Sequence, residues 1–464
     1  MSFLDTVLKF IPQVEKPTQQ KLGLGTKAKW TLIALFSYFI LKNVPVYGAS
    51  ASFLSQFEAL AVILGAEFGS LVSLGIGPIV TASIVLQLLN GSGIIKFDTA
   101  TEAGKARFQG VQKLLALSLI IIESFVYVFL GGITPDAALA ISSPATYYTL
   151  ELLLVFQLFL GGLVILFLDD LTSKWGFGSG ISLFIAAGVS ESLFKATFSW
   201  IPNPNNPEFV TGQLWAMFQS FAASDLTAGL ASFIAIAATI GVFALVVYFQ
   251  SMKVEIPLSF GRVRGYGMRW PLNFLYTSNI PVILIAALLA NFQFMGALLG
   301  QRLPLINSIL PWIQAPFQGQ GGMIGEIIRQ GSLNIGMINY LQALSYIVIL
   351  MIGSAVFAYF WMQTSGMDAK AQAKQIMASG LQIPGFRKDP RIMEHVLDRY
   401  ILPLTIMGGL AVGLLAGLAD LSGALTSGTG LLLAVMIVYR LYEDIAKQHM
   451  NDMNPMMRKF MGGK

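Results

Sequence analysis

Glu123, in Ile120-Ile-Ile-Glu-Ser124, is the ionisable side chain set deepest in an apolar run of this sequence. A carboxylate at the centre of a bilayer costs about 2.5–3.5 kcal/mol on insertion scales, so it must face protein, face water or carry a proton. Its chemistry would be that of a proton site or a polar seam; one helix–helix hydrogen bond, worth about 0.6 kcal/mol, would satisfy it as well. Ion-coupled transport needs a second acid or a basic partner, and the apolar runs are expected to hold no second deep carboxylate and no buried Lys or Arg. With no cysteine in the chain, disulfides and thiolate metal sites are excluded. The two histidines, His395 and His449, fall outside the apolar runs, and no pair at metal-ligand spacing lies within them. No serine, histidine and acid group together, and no Gly-x4-Gly-Lys-Ser/Thr loop is present. The residues therefore point away from an enzyme, from a cofactor and from internal use of a nucleotide.

What remains is uncharged. Thr81, Gln87 and Asn291 are polar residues in apolar runs, each explicable alone as packing glue. Ile76 and Val80 are spaced i, i+4, as are Ile181 and Ile185, so each pair shares a helix face. Ile283 and Leu433 hold comparable places further along. Side chains of this kind ringing a constriction would exclude ions by dewetting. Ordinary core packing explains the same spacing.

These residues need helices that cross a membrane. The chain is 55 % hydrophobic and 11 % charged, with a mean hydropathy of +0.69, which places it in the membrane class. Ten runs are long enough to span about 30 Å of hydrocarbon: 29–48, 71–90, 109–131, 147–168, 179–198, 226–250, 273–294, 340–362, 400–420 and 428–446. No cleavable leader is visible, and residues 1–12 read as a surface amphipathic helix. With the N-terminus in the cytosol, only Lys42, Lys195, Arg302 and Arg329 fall outside, and the other 25 of the 29 Lys and Arg fall inside. The positive-inside rule thus predicts an N-in, C-in topology.

The second run is broken near its start by Gly75, Gly77 and Pro78. In lipid such a break is tolerated only where protein or a water-filled cavity covers it. Gly178-Ser-Gly-Ile181 opens the fifth run and Gly428-Thr-Gly-Leu431 the tenth; Pro78 and Pro281 sit near the starts of the second and seventh. An echo at an offset of five spans means two inverted halves. The resulting boundaries are a cytosolic segment 1–28, a first half 29–198, an outside loop 199–225, a second half 226–446 and a cytosolic tail 447–464. A second outside loop spans 295–338. Two basic cytosolic loops lie in the second half, 252–272 with Arg262, Arg264 and Arg269, and 366–399 with Arg387 and Lys388.

Together these pieces resemble the SecY family, the central subunits of protein-conducting channels. The resemblance is carried by Leu74-Gly-Ile-Gly-Pro-Ile-Val-Thr81, Phe108-Gln-Gly-Val-Gln-Lys113, Gly178-Ser-Gly-Ile-Ser-Leu-Phe-Ile-Ala-Ala-Gly188, Ile256-Pro-Leu258 with Gly261-Arg262, Tyr276-Thr-Ser-Asn-Ile-Pro-Val-Ile283 and Gly428-Thr-Gly430. Ile76-Gly-Pro-Ile-Val80 is similar to the archaeal form. The resemblance implies an all-α membrane protein with ten transmembrane helices in two inverted five-helix halves around a central pore. It implies a pore ring of Ile76, Val80, Ile181, Ile185, Ile283 and Leu433, a plug at about 57–69, and a polar cluster of Thr81, Glu123 and Asn291 at a lateral gate. It also implies ribosome docking through Arg262, Arg264, Arg387 and Lys388, and location in the plasma membrane. The implied partners are SecE, a small SecG or Sec-beta-type subunit, the ribosome, an unfolded polypeptide with its signal sequence, and membrane lipid. An ion-coupled carrier is the competing reading; the broken helix and Glu123 suit it, and the missing acid pair and the basic loops do not.

Overall fold

The computed structural model describes residues 13–18, 22–49, 69–91, 94–95, 97, 101–129, 132–136, 142–203, 206–260, 267–277, 280–299, 308–317, 322–331, 334–378, 381–382 and 389–452. Residues 1–12, the 57–68 part of the expected plug, and Arg262, Arg264, Arg387 and Lys388 lie outside them.

The first half is five helices: α1 (Leu24–Asn43), α2 (Gly77–Gly91), α3 (Glu102–Phe129), α4 (Pro144–Trp175) and α5 (Gly180–Phe198). A two-stranded hairpin, β1 (Pro202–Asn203) and β2 (Asn206–Val210), and a short helix, α6 (Gln213–Ala222), lead into the second half. That half contains α7 (Leu226–Ser251), α8 (Ile280–Leu299), α9 (Gly322–Gln330), α10 (Met337–Thr364), α11 (Ala369–Ala378), α12 (Pro390–Leu421) and α13 (Gly428–Asp452). Ten of these helices coincide with the ten apolar runs of the sequence. Six of the described helical stretches are long and apolar enough to cross a membrane, and α2 and α8 supply two shorter apolar segments. α1 and α13, the remaining two, carry lysine or arginine near their ends.

The caps fit the sequence. Asp225 precedes α7 and accepts the Ala228 N–H at 3.1 Å and the Thr227 hydroxyl at 2.8 Å. These bonds hold its carboxyl below the usual carboxylate range. Asp389 caps α12 through the Arg391 N–H, with Pro390 in the first turn, where a missing N–H costs nothing.

The halves meet along two seams. α2 packs on α8 and α10, and α5 packs on α13, which also touches α1. One large core of buried aliphatic residues runs through both halves. Other faces stay apolar and bare, including Leu32 and Phe36 on α1 and Phe233, Ile240 and Phe243 on α7. Apolar surface on this scale would be a liability in water and is what hydrocarbon requires. The beginning of α1 lies beside the end of α13, where the Lys27 ammonium donates to Gln448 Oε1 at 2.8 Å and the Gln448 amide to the Leu22 carbonyl at 2.7 Å. The first and last spans therefore bring these ends to one face, as an even number of crossings demands.

The two basic loops are not plain connections. Residues 252–272 contain β3 (Lys253–Phe260) and β4 (Gly267–Asn273), paired antiparallel from Lys253↔Asn273 to Ser259↔Gly267. β5 (Leu381–Gln382) adds to the free edge of β3 through Phe260↔Leu381. Ile256, Leu258, Leu272 and Leu381 pack with Ala373, Ile376, Met393 and Leu397 of α11 and α12 into a second core. The strand signal is visible in Val254, Ile256, Leu258 and Phe260, which alternate with polar residues or proline at the period of a half-buried strand. A small three-stranded sheet thus sits on the helical frame.

Candidate functional site

The break in the second run is where the sequence places it. Residues 71–76 form successive turns, and α2 begins only at Gly77, with Pro78 in its first turn. Gly75 has φ +54°, a left-handed conformation that costs glycine little. Short-range bonds satisfy the unwound backbone: Ser73 N to Ser70 O at 3.0 Å, Gly75 N to Val72 O at 2.9 Å and Gly77 N to Leu74 O at 3.2 Å. Each would otherwise cost several kcal/mol in the membrane interior. The segment lies directly on α4. A Cβ at Gly161 would sit 1.7 Å from the Leu71 carbonyl oxygen, so only glycine permits this approach. Ser70 is clipped to Pro45 after α1, with Leu71 N bonded to the Val44 carbonyl at 3.0 Å.

From this fixed start, the last residue of the turn supplies Ile76 and α2 supplies Val80, which are 1 % and 2 % exposed. α5 brings Ile185, α8 brings Ile283 and α13 brings Leu433 into the same core, and Ile181 packs against it half-buried. The six aliphatic residues singled out in the sequence thus come from α2 with the turn before it, α5, α8 and α13, in or against one apolar core.

Beside it runs the α2–α8 seam. Asn291 Nδ2 donates to Thr81 Oγ1 at 2.8 Å, and the Thr81 hydroxyl donates in turn to the Gly77 carbonyl at 2.8 Å. Two polar residues 210 positions apart therefore form a bond between the halves, and the seam is shut there. Glu123 is half-buried on α3, next to exposed Ile121 and Ile122, and no described hydrogen bond joins it to Thr81 or Asn291. Gln87 is also apart from the pair; its amide donates to Ser83 at 3.0 Å, and Gln112 of α3 reaches the same hydroxyl at 3.2 Å.

The expectation of no buried Lys or Arg fails at Lys42. Lys42, 6 % exposed at the end of α1, meets Glu191 of α5 at 2.6 Å, and Lys195 meets the same carboxylate at 2.7 Å. Asp170 of α4 binds Lys113 at 2.6 Å and Lys174 at 2.9 Å and accepts the Val14 N–H at 2.8 Å, docking the N-terminal segment. Asp169 and Asp420 are further acids on α4 and α12. These groups lie near span ends, where a partner from another helix is within reach; a reading by depth along single runs passes over them. The Lys42–Glu191 and Lys113–Asp170 pairs tie helices together, and the described residues hold no cluster of three or more acid or histidine ligands suited to a metal.

Inverted helical halves, a covered break and an apolar cluster shared between the halves define a polytopic membrane channel of the protein-conducting class. The comparisons place it more narrowly. The SecY family model matches residues 70–442. The protein translocase subunit SecY of Archaeoglobus fulgidus is 38 % identical, with 97 % of each chain covered. A solved structure of a protein-conducting channel aligns at 37 % identity and a TM-score of 0.80 over 97 % of this chain and 98 % of its own. Sec61 in the canine ribosome–channel complex from the endoplasmic reticulum aligns at 36 % identity and a TM-score of 0.76 over the same shares. The chain belongs to the SecY family.

Proposed function

We propose that this chain forms the pore of a channel that passes unfolded polypeptides across the plasma membrane and releases apolar segments sideways into lipid. Its termini are cytosolic. The carrying observation is that six aliphatic side chains from both halves lie in or against one apolar core, together with a polar bond across the α2–α8 seam. A ring of Ile76, Val80, Ile181, Ile185, Ile283 and Leu433 would fit a passing chain of any sequence and exclude ions when empty. Thr81 and Asn291 would hold the lateral gate shut, with Glu123 on its flank. The segment 57–69, whose last residue leads into the clipped turn at Ser70, would be the plug. SecE would brace the halves, a SecG or Sec-beta-type subunit would complete the complex, and the ribosome or another outside motor would supply energy. No covalent step by this chain is required.

The sheet supports ribosome docking. Arg262 and Arg264 follow β3, Arg387 and Lys388 follow β5, and β3 and β5 are paired neighbours, so both basic segments leave one small platform. Reversing all four charges should abolish co-sedimentation with ribosomes at moderate salt while the complex stays folded. The salt dependence of wild-type binding should be steep, with a logarithmic slope of roughly 0.7–0.9 per phosphate contact. Unchanged co-sedimentation of the quadruple variant would confine these residues to setting topology.

A further inference from the structure

Two helices that carry ring residues begin in the same way. At the start of α5, Asp169 of α4 accepts the Ile181 N–H at 3.0 Å and the Ser179 hydroxyl at 3.4 Å. At the start of α13, Asp420 of α12 accepts the Thr429 N–H at 3.0 Å, the Thr429 hydroxyl, and the Tyr346 hydroxyl at 2.8 Å. In both halves a glycine allows the contact: a Cβ at Gly180 would lie 2.6 Å from Asp169 Cα, and one at Gly428 would lie 2.0 Å from the Ala419 carbonyl carbon. Matching Gly180 with Gly428 pairs Ile181 with Thr429 and Ile185 with Leu433. This register is two residues away from the Gly178–Gly428 match that the sequence suggests.

We infer that Asp169 and Asp420 are positioning residues of the ion seal, each fixing the first turn of a helix so that the ring side chain at that turn or the next stays in place. The inference rests on the ring reading above. Capped backbone groups at a helix start have no partner within the helix, and at the Asp420 cap Thr429 and Leu433 are 2 % and 0 % exposed, so water does not replace that acid. Without it, the first turn frays or shifts, and the next turn, about 5.4 Å along the axis, moves with it. Asp420 also ties α13 to α10 through Tyr346, which is 5 % exposed.

The purified complex in planar bilayers tests this. Asp169→Ala and Asp420→Ala should each raise the conducting fraction of the idle channel about fivefold, the effect of losing a typical cap, and the double variant about twenty-five-fold if the distant sites add. Asn at either position keeps an oxygen for the backbone N–H and should restore most of the seal. Alanine variants that purify with a normal melting temperature and conduct like wild type would overturn the inference. Should they fail to fold, Tyr346→Phe keeps Asp420 and removes one donor; it should leak measurably, and wild-type conductance there would also overturn the inference. A Gly-substituted ring of Ile76, Val80, Ile181 and Ile185 run alongside separates the two readings: if it leaks and the cap variants do not, the caps fail and the ring stands; if it does not leak, the ring itself fails.

Discussion

Replacing Ile76, Val80, Ile181 and Ile185 together by asparagine or glycine turns an electrically silent idle channel into one that carries persistent ion current. On the proposed reading, aliphatic side chains would close the constriction by making a narrow gap too costly to wet; amides or bare backbone would lower that cost. The competing account is that these residues only pack. Truncating a buried aliphatic side chain in a tight core costs about 2–5 kcal/mol, and four such losses, about 8–20 kcal/mol, would match or exceed the roughly 5–15 kcal/mol that hold a typical domain together. A packing role therefore predicts a complex that does not assemble, whereas a ring predicts one that assembles and leaks. Size-exclusion profile, melting temperature and single-channel recording of the same preparation separate the two. An assembled quadruple variant with silent bilayers would remove these residues from the seal.

Locking Thr81 to Asn291 should abolish membrane-protein insertion. The natural chain has no cysteine, so a Thr81→Cys, Asn291→Cys variant offers a short bismaleimide a single pair of thiols. The wild-type side chains touch at 2.8 Å, and efficient linking is expected in the idle channel. If α2 and α8 must part for an apolar segment to reach lipid, the linked channel rejects such segments. Asn291→Leu should work in the opposite sense. Thr81 keeps its bond to Gly77, the closed seam alone loses about 0.6 kcal/mol and at most about 1.7, and less hydrophobic segments gain entry by about threefold. Efficient linking with normal insertion would mean that lipid release uses another seam.

The spans were legible because lipid imposes a length and a composition on each crossing. α7 is bounded within a residue of its apolar run, and Gly75 marks the break of the second run. Orientation within the bundle was legible where one helix face carries its own signal, as for Ile76 with Val80. The ring could not be told from packing in this way, because i, i+4 aliphatic spacing serves both. That these residues of both halves reach one core depends on which helices meet, and conductance of the quadruple variant is what separates a ring from packing. The sheet under the basic loops had a period-two pattern in Val254 to Phe260 that charge obscured. Lys42 with Glu191, 149 positions apart, left no trace in sequence. Asp169 and Asp420 become caps only after α4 and α12 return the chain alongside α5 and α13. Of the polar trio expected at the gate, Thr81 and Asn291 are joined and Glu123 is not, since spacing along α3 fixes a residue's depth and not its partner.

The central claim is that a polypeptide moves through the apolar cluster. It is tested most directly by stalling a translocating chain that bears one cysteine and placing single cysteines at Val80, Ile283 or, as a control, Phe243 on the exposed face of α7. Oxidation should join the stalled chain to positions 80 and 283 when its cysteine is at mid-membrane, and never to 243. Adducts at 243 equal to those at the cluster, or a stalled chain that reaches neither 80 nor 283, would contradict the account.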